Sequence, residues 1–116
     1  MKVIIAGSRH LSDMATVERA MSDAALAGIV PTEVVSGGAR GADALGEAWA
    51  RRRSIPVRVF EARWDEYGNG ASPIRNEEMA SYGQALVALP SATSRGTRDM
   101  LRRARAHGLR VQVHEM

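Results

Sequence analysis

The chain predicts an α/β fold: one Rossmann-like three-layer sandwich over residues 1–116, with a five-stranded parallel sheet in the order 3-2-1-4-5. Short apolar runs alternate with stretches of helical period, which is the pattern of repeated βαβ units. Each strand-to-strand connection carries a helix, so the crossovers are right-handed and the sheet parallel. A length of 116 residues suits one domain, and no repeat, linker or low-complexity tract divides it.

Residues 2–6 (KVIIA) are a continuous apolar run, as a strand buried on both faces requires. Residues 13–28 place Val17, Ala20, Met21 and Ala24 on one helical face and end at Gly28. Residues 33–36 (EVVS) are the second strand, and Ala42, Leu45 and Trp49 repeat at helical spacing through to Arg53. Residues 56–60 (PVRVF) are the third strand. A long loop then leads to Ser72-Pro73, which reads as an N-cap with proline at the first helical position, and that helix runs to Tyr82. Residues 84–90 (QALVALP) are the fourth strand, 96–107 a helix, and 110–114 (RVQVH) the fifth strand.

Composition bounds the function. A hydrophobic fraction of 45% and a charged fraction of 25% are those of an ordinary soluble globular protein. The longest near-apolar run, AALAGIV, is too short to span a bilayer, so no membrane association is expected. The opening MKVIIAGSRH breaks at Ser8-Arg9-His10 and does not read as a signal peptide. The absence of cysteine excludes disulfides and thiolate metal sites and makes a cytoplasmic location the default. His10, His107 and His114 lack ligand spacing, so no metal or other cofactor is expected. Net charge is only +3, with Lys2 the sole lysine, so the placement of the arginines matters more than their number.

That placement is uneven. The four strand-to-helix loops emerge at one sheet edge, where open α/β sheets bind ligands. They hold Gly7-Ser8-Arg9, then SGGARGAD (36–43), RWDEYGNGASPIRN (63–76) and SATSRGT (91–97). Arg9, Arg40, Arg75 and Arg95 each stand at or near a helix start. A helix N-terminus favours a negative partner, so a cation there makes sense when an external anion sits between it and the free N–H groups. The alternative is pairing with Asp43, Asp65, Glu77 or Glu78. Asp43 either satisfies orphan N–H groups or holds a ribose hydroxyl. Trp64 and Tyr67 either pack the loop down or stack on a base.

The motifs AGSR, SGGARGAD, PIRNEEM and SRGT, in that order, resemble the SLOG superfamily, named for the Smf/DprA and Lonely Guy groups. Within it the chain is most similar to the small stand-alone YspA/YpsA-related branch. Loops and resemblance together mark Gly7, Ser8, Arg9, Ser36, Gly37, Gly38, Arg40, Gly41, Asp43, Arg75, Asn76, Ser94, Arg95, Gly96 and Thr97 as ligand-binding. Lonely Guy enzymes remove ribose 5-phosphate from cytokinin nucleotides, using an arginine in R-K-x-x-M and a glutamate in P-G-G-x-G-T-x-x-E. Arg75 to Met79 is similar to the first motif and Gly96-Thr97 to part of the second, but Met100 stands at the glutamate's position. Asp99 is one residue away, about 100° around the helix. The phosphate-holding half of such a site is present, while Glu77, Glu78, Asp43 and Asp65 are equal candidates for the missing carboxylate.

Three functions stay open on these residues. The first is binding of a small-molecule nucleotide-type ligand, a nucleoside phosphate or an ADP-ribose-like compound, as sensor or carrier. The second is a hydrolase cleaving an N-glycosidic or related bond in that ligand. The third is DprA-like binding of single-stranded nucleic acid, against which a total of five aromatics weighs. The resemblance also implies a homodimer.

Overall fold

The computed structural model describes residues 1–115. Strands β1 (Lys2–Gly7), β2 (Glu33–Ser36), β3 (Val57–Val59), β4 (Ala85–Leu89) and β5 (Arg110–Val113) form one parallel sheet in the order β3-β2-β1-β4-β5. Helices α1 (Met14–Leu26), α2 (Ala42–Arg52), α3 (Trp64–Tyr67), α4 (Ala71–Tyr82) and α5 (Arg95–Ala106) fill the connections. The expected order and direction are both present.

β1 lies at the centre, with Val3 paired to Val34 on one side and to Ala85 on the other. Its side chains alternate between two cores. Val3 and Ile5 pack with Val17, Met21 and Trp49 of α1 and α2, whereas Ile4 and Ala6 pack with Met79, Met100 and Leu101 of α4 and α5. Burial on both faces is why β1 and β4 are apolar at nearly every position. Each large side chain so buried contributes about 1.5–3 kcal/mol.

Local chemistry sets most helix boundaries. Asp13 Oδ1 accepts from Ala15 N at 3.0 Å and starts α1. Gly28, at φ 86°, follows its end in a conformation that suits glycine. The Ser72-Pro73 signal, however, does not start α4. The expected loop is instead wound into α3 and a 3₁₀ turn (Gly68–Gly70) that runs directly into α4 at Ala71. Ser72 Oγ accepts from Arg75 Nη2 at 3.2 Å rather than capping the helix. Pro73 is tolerated because an N–H in the first turn has no intrahelical acceptor.

No helix among the described residues is long and apolar enough to cross a membrane. The carboxyl ends of β1 and β4 are adjacent, and the chain winds outward in opposite directions from them. That places the crevice of the open sheet between the loops that follow these two strands.

Candidate functional site

Two glycines lock the loops after β1 and β2 together. A β carbon on Gly7 would collide with the Leu89 carbonyl and with Ala42, so only glycine lets β1 end this close to β4 and α2. Ser8 N then donates to Leu89 O at 3.0 Å, and Ser8 O accepts from Ala42 N at 3.0 Å. Gly41 has φ 73° and lies directly against the backbone of Ser8 and Arg9. Ser36 Oγ is used within this frame: it donates to Glu47 Oε2 at 2.7 Å and accepts from Gly38 N at 3.1 Å.

Arg75 enters from α4. Its Nη1 donates to Gly37 O at 2.5 Å, its Nη2 to Ser72 Oγ at 3.2 Å and its Nε to Asn76 Oδ1 at 3.0 Å. Burial disfavours its charge and lowers its pKa, an effect opposed by the field of Asp43. Asn76 is buried and extends the chain of contacts. Its Nδ2 donates to Asp99 Oδ2 at 3.0 Å and to Gly96 O at 3.2 Å, tying α4 to the first turn of α5. Asp99 is held in turn by Arg103 Nε at 2.9 Å, and its carboxyl lies below the usual range because Asn76 and Arg103 bond the charged form against the cost of burial.

These elements enclose an inner cleft of about 310 Å³ at the carboxyl edge. Arg9 lines it from the loop after β1, Arg75 from α4 and Arg95 from the start of α5, beside the hydroxyl-bearing Ser8, Ser94 and Thr97. Ser94 makes no side-chain cap to α5; Arg95 N donates to Thr93 O at 2.9 Å, and the N–H groups of Gly96 and Thr97 that follow are available. None of Arg9, Arg40, Arg75 and Arg95 forms an ion pair among the described residues, because the nearby acids are engaged elsewhere. Glu77 binds Arg103 and His107, at 3.2 and 2.6 Å, and Glu78 binds Arg63 at 3.4 Å. Among the described residues the one carboxylate on the cleft is Asp43, whose Oδ2 accepts from Ala39 N at 3.3 Å. It therefore braces the glycine loop instead of capping α2. Burial pushes its carboxyl up to about 6.

Most of the sequence-marked residues meet here. Gly7, Ser8, Arg9, Asp43, Arg75, Asn76, Ser94, Arg95, Gly96 and Thr97 line the inner cleft. Gly37, Gly38 and Arg40 line an outer hollow of about 420 Å³ that shares Arg9, Ala39, Ser72 and Arg75 with it. Ser36 and Gly41 line neither and serve the frame. Ala39, His10, Ser72, Ser91 and Thr93 also line the cleft without having been marked. Ser91 and Thr93 had a signal, since they share the SATSRGT loop; Ala39 had none beyond its glycine neighbours. Met79 and Met100 supply buried apolar surface, and Trp64 stands at the outer hollow with 55% of its surface exposed. Asp99 is turned to Asn76 and Arg103 and does not line the cleft. No cluster of three or more His, Asp or Glu suited to a metal occurs among the described residues.

Residues 1–67 match the model of the YspA, cpYpsA-related SLOG family. The chain is also similar to the Gene 61 protein of Mycobacterium phage D29, with 36% identity over 116 aligned residues, 95% of this chain and 93% of that protein. No solved structure matches it.

Proposed function

The chain belongs to the YspA, cpYpsA-related SLOG family, and from that premise we propose that it binds a nucleotide or nucleotide derivative in the inner cleft, as a sensor or carrier. One observation carries this reading: Arg9, Arg75 and Arg95 converge on a single cleft without carboxylate partners. A cleft of this size holds a nucleoside phosphate, and a few fixed polar groups suffice to orient it. The phosphate sits between Arg9, Arg95 and the first N–H groups of α5, where charge and helix polarity favour an anion together. Arg75 is already fixed by three neutral acceptors, so it offers its charge without reorganising.

Chemistry on the bound ligand is disfavoured in this reading. Cleavage of an N-glycosidic bond needs a carboxylate at the reacting carbon or its water. Met100 occupies the relevant wall, and Asp99 is bound away from it.

A thermal-shift series tests the proposal with nucleoside monophosphates, nucleoside diphosphates, ADP-ribose and a single-stranded oligonucleotide. A true ligand at a hundred times its dissociation constant stabilises the fold by about 2.7 kcal/mol. Stabilisation by the oligonucleotide alone, vanishing with added salt, replaces the proposal with nucleic-acid binding.

A further inference from the structure

Asp43 is an acid in a place that suits an anion's receptor poorly. It is 6% exposed, lies on the wall of the inner cleft, and faces a set of arginines without bonding any of them. Gly37 separates it from Arg75: a β carbon there would stand 2.9 Å from Asp43 Oδ2 and 2.7 Å from Arg75 Nη1. The charged and titratable groups around it come from each neighbouring element. Arg75 acts from α4, Glu47 from α2 itself, Arg9 acts on Arg75 from the loop after β1, and His10 lines the same cleft.

We infer that the inner cleft takes up a proton together with its anion, and that Asp43 is the group that receives it. The physical reason is competition for one cation. Without ligand, the Ala39 N–H and then the field of Arg75 support the charged form of Asp43 against burial and against Glu47. An anion held at Arg9, in the same cleft as Arg75, offsets that field and adds a negative charge near the carboxylate. The neutral acid is then favoured, and the proton comes from solvent. Conversely, an ionised Asp43 weakens the hold on the anion, so affinity falls as pH rises. Burial already pushes the ligand-free carboxyl to about 6, which puts the exchange close to neutral pH. This regulation rests on the proposed nucleotide reading of the same cleft.

The test is calorimetric titration with ADP-ribose. Its pyrophosphate carries no proton that titrates near neutral pH, unlike a phosphate monoester with its second pKa of about 6. Titrations at several pH values, each in two phosphate-free buffers of different ionisation enthalpy, give the protons exchanged. Uptake approaching one proton near pH 7 is expected, with affinity falling at least about tenfold between pH 6 and 8. Asp43→Asn should abolish the uptake and flatten the pH dependence, while His10→Ala should retain both. Binding without proton uptake, or uptake that persists in Asp43→Asn, overturns the inference and leaves the nucleotide proposal standing. Absence of ADP-ribose binding overturns the inference, and the nucleotide proposal falls with it only where the thermal-shift series also finds no nucleotide ligand. Should the asparagine variant not fold, a carbon-13 titration of the Asp43 carboxyl decides it in the native chain. Its pKa rises on adding ADP-ribose if the inference holds, and an unchanged or lowered pKa contradicts it.

Discussion

Arg75 Nη1 donates to the carbonyl of Gly37 at 2.5 Å, joining the second turn of α4 to the glycine loop across 38 residues of chain. From sequence alone, Arg75 is a poorly sited charge in a first turn, held there for a ligand. The structure gives it three acceptors within the protein, so it serves the frame as well. Arg75→Ala is therefore expected to cost about 1–3 kcal/mol of stability, since it leaves Gly37 O and Asn76 Oδ1 without their donor. Ligand affinity should fall about tenfold or more in the same variant. Chemical denaturation and calorimetry on one preparation check both effects.

Gly37→Ala separates the two roles. Its β carbon would press on Arg75 Nη1 at 2.7 Å and on Asp43 Oδ2 at 2.9 Å, both at ends of side chains that can give way. The expected result is weaker ligand binding with a modest loss of stability, about 1–2 kcal/mol. Gly41→Ala should cost more in stability, because its φ of 73° is strained for alanine and its neighbours are backbone atoms. Urea denaturation of the two variants side by side gives the ranking.

The pH dependence of stability follows from Asp43. A carboxyl whose folded pKa is raised from 3.8 to about 6 binds its proton more tightly when folded. Its contribution is fully present below the unfolded value and is lost as pH rises through about 6. Asp43→Asn is thus expected to gain up to about 3 kcal/mol relative to the native chain at pH 7.5, and little at pH 4. Melting curves of both proteins across that range show the sign.

The sheet was readable because burial on two faces leaves an unbroken apolar signature, as in 2–6 and 84–90, and one connecting helix per crossover fixes direction. The glycine and arginine loops were readable because their residue types are costly elsewhere. Other parts were not. Ser72 imitates a cap in sequence, while the glycines at 68 and 70 before it hide a short helix and a 3₁₀ turn that leads into α4. Asp43 reads as a first-turn acid that satisfies orphan N–H groups or holds a ribose hydroxyl, and only the packing of α2 against the loop after β1 reveals its burial. Ser36 and Gly41 look like ligand contacts because framing a loop and touching an anion both call for small residues.

Release of free base from nucleoside monophosphates is expected to be negligible. Met100, 1% exposed, lines the cleft, and it holds the position at which the motif of the Lonely Guy enzymes, which this sequence resembles in part, has glutamate. Chromatographic assay of free base over hours of incubation checks this. Turnover that disappears in Asp43→Asn would place the chemistry on the remaining carboxylate of the cleft and make the protein a hydrolase.

A crystal structure of the protein grown with ADP-ribose tests the nucleotide-binding proposal most directly. The expected result is ligand in the inner cleft, with a phosphate within hydrogen-bond distance of Arg9 or Arg95 and of an N–H in the first turn of α5. Ligand ordered only at the opposite edge of the sheet, with the cleft holding none, would contradict it.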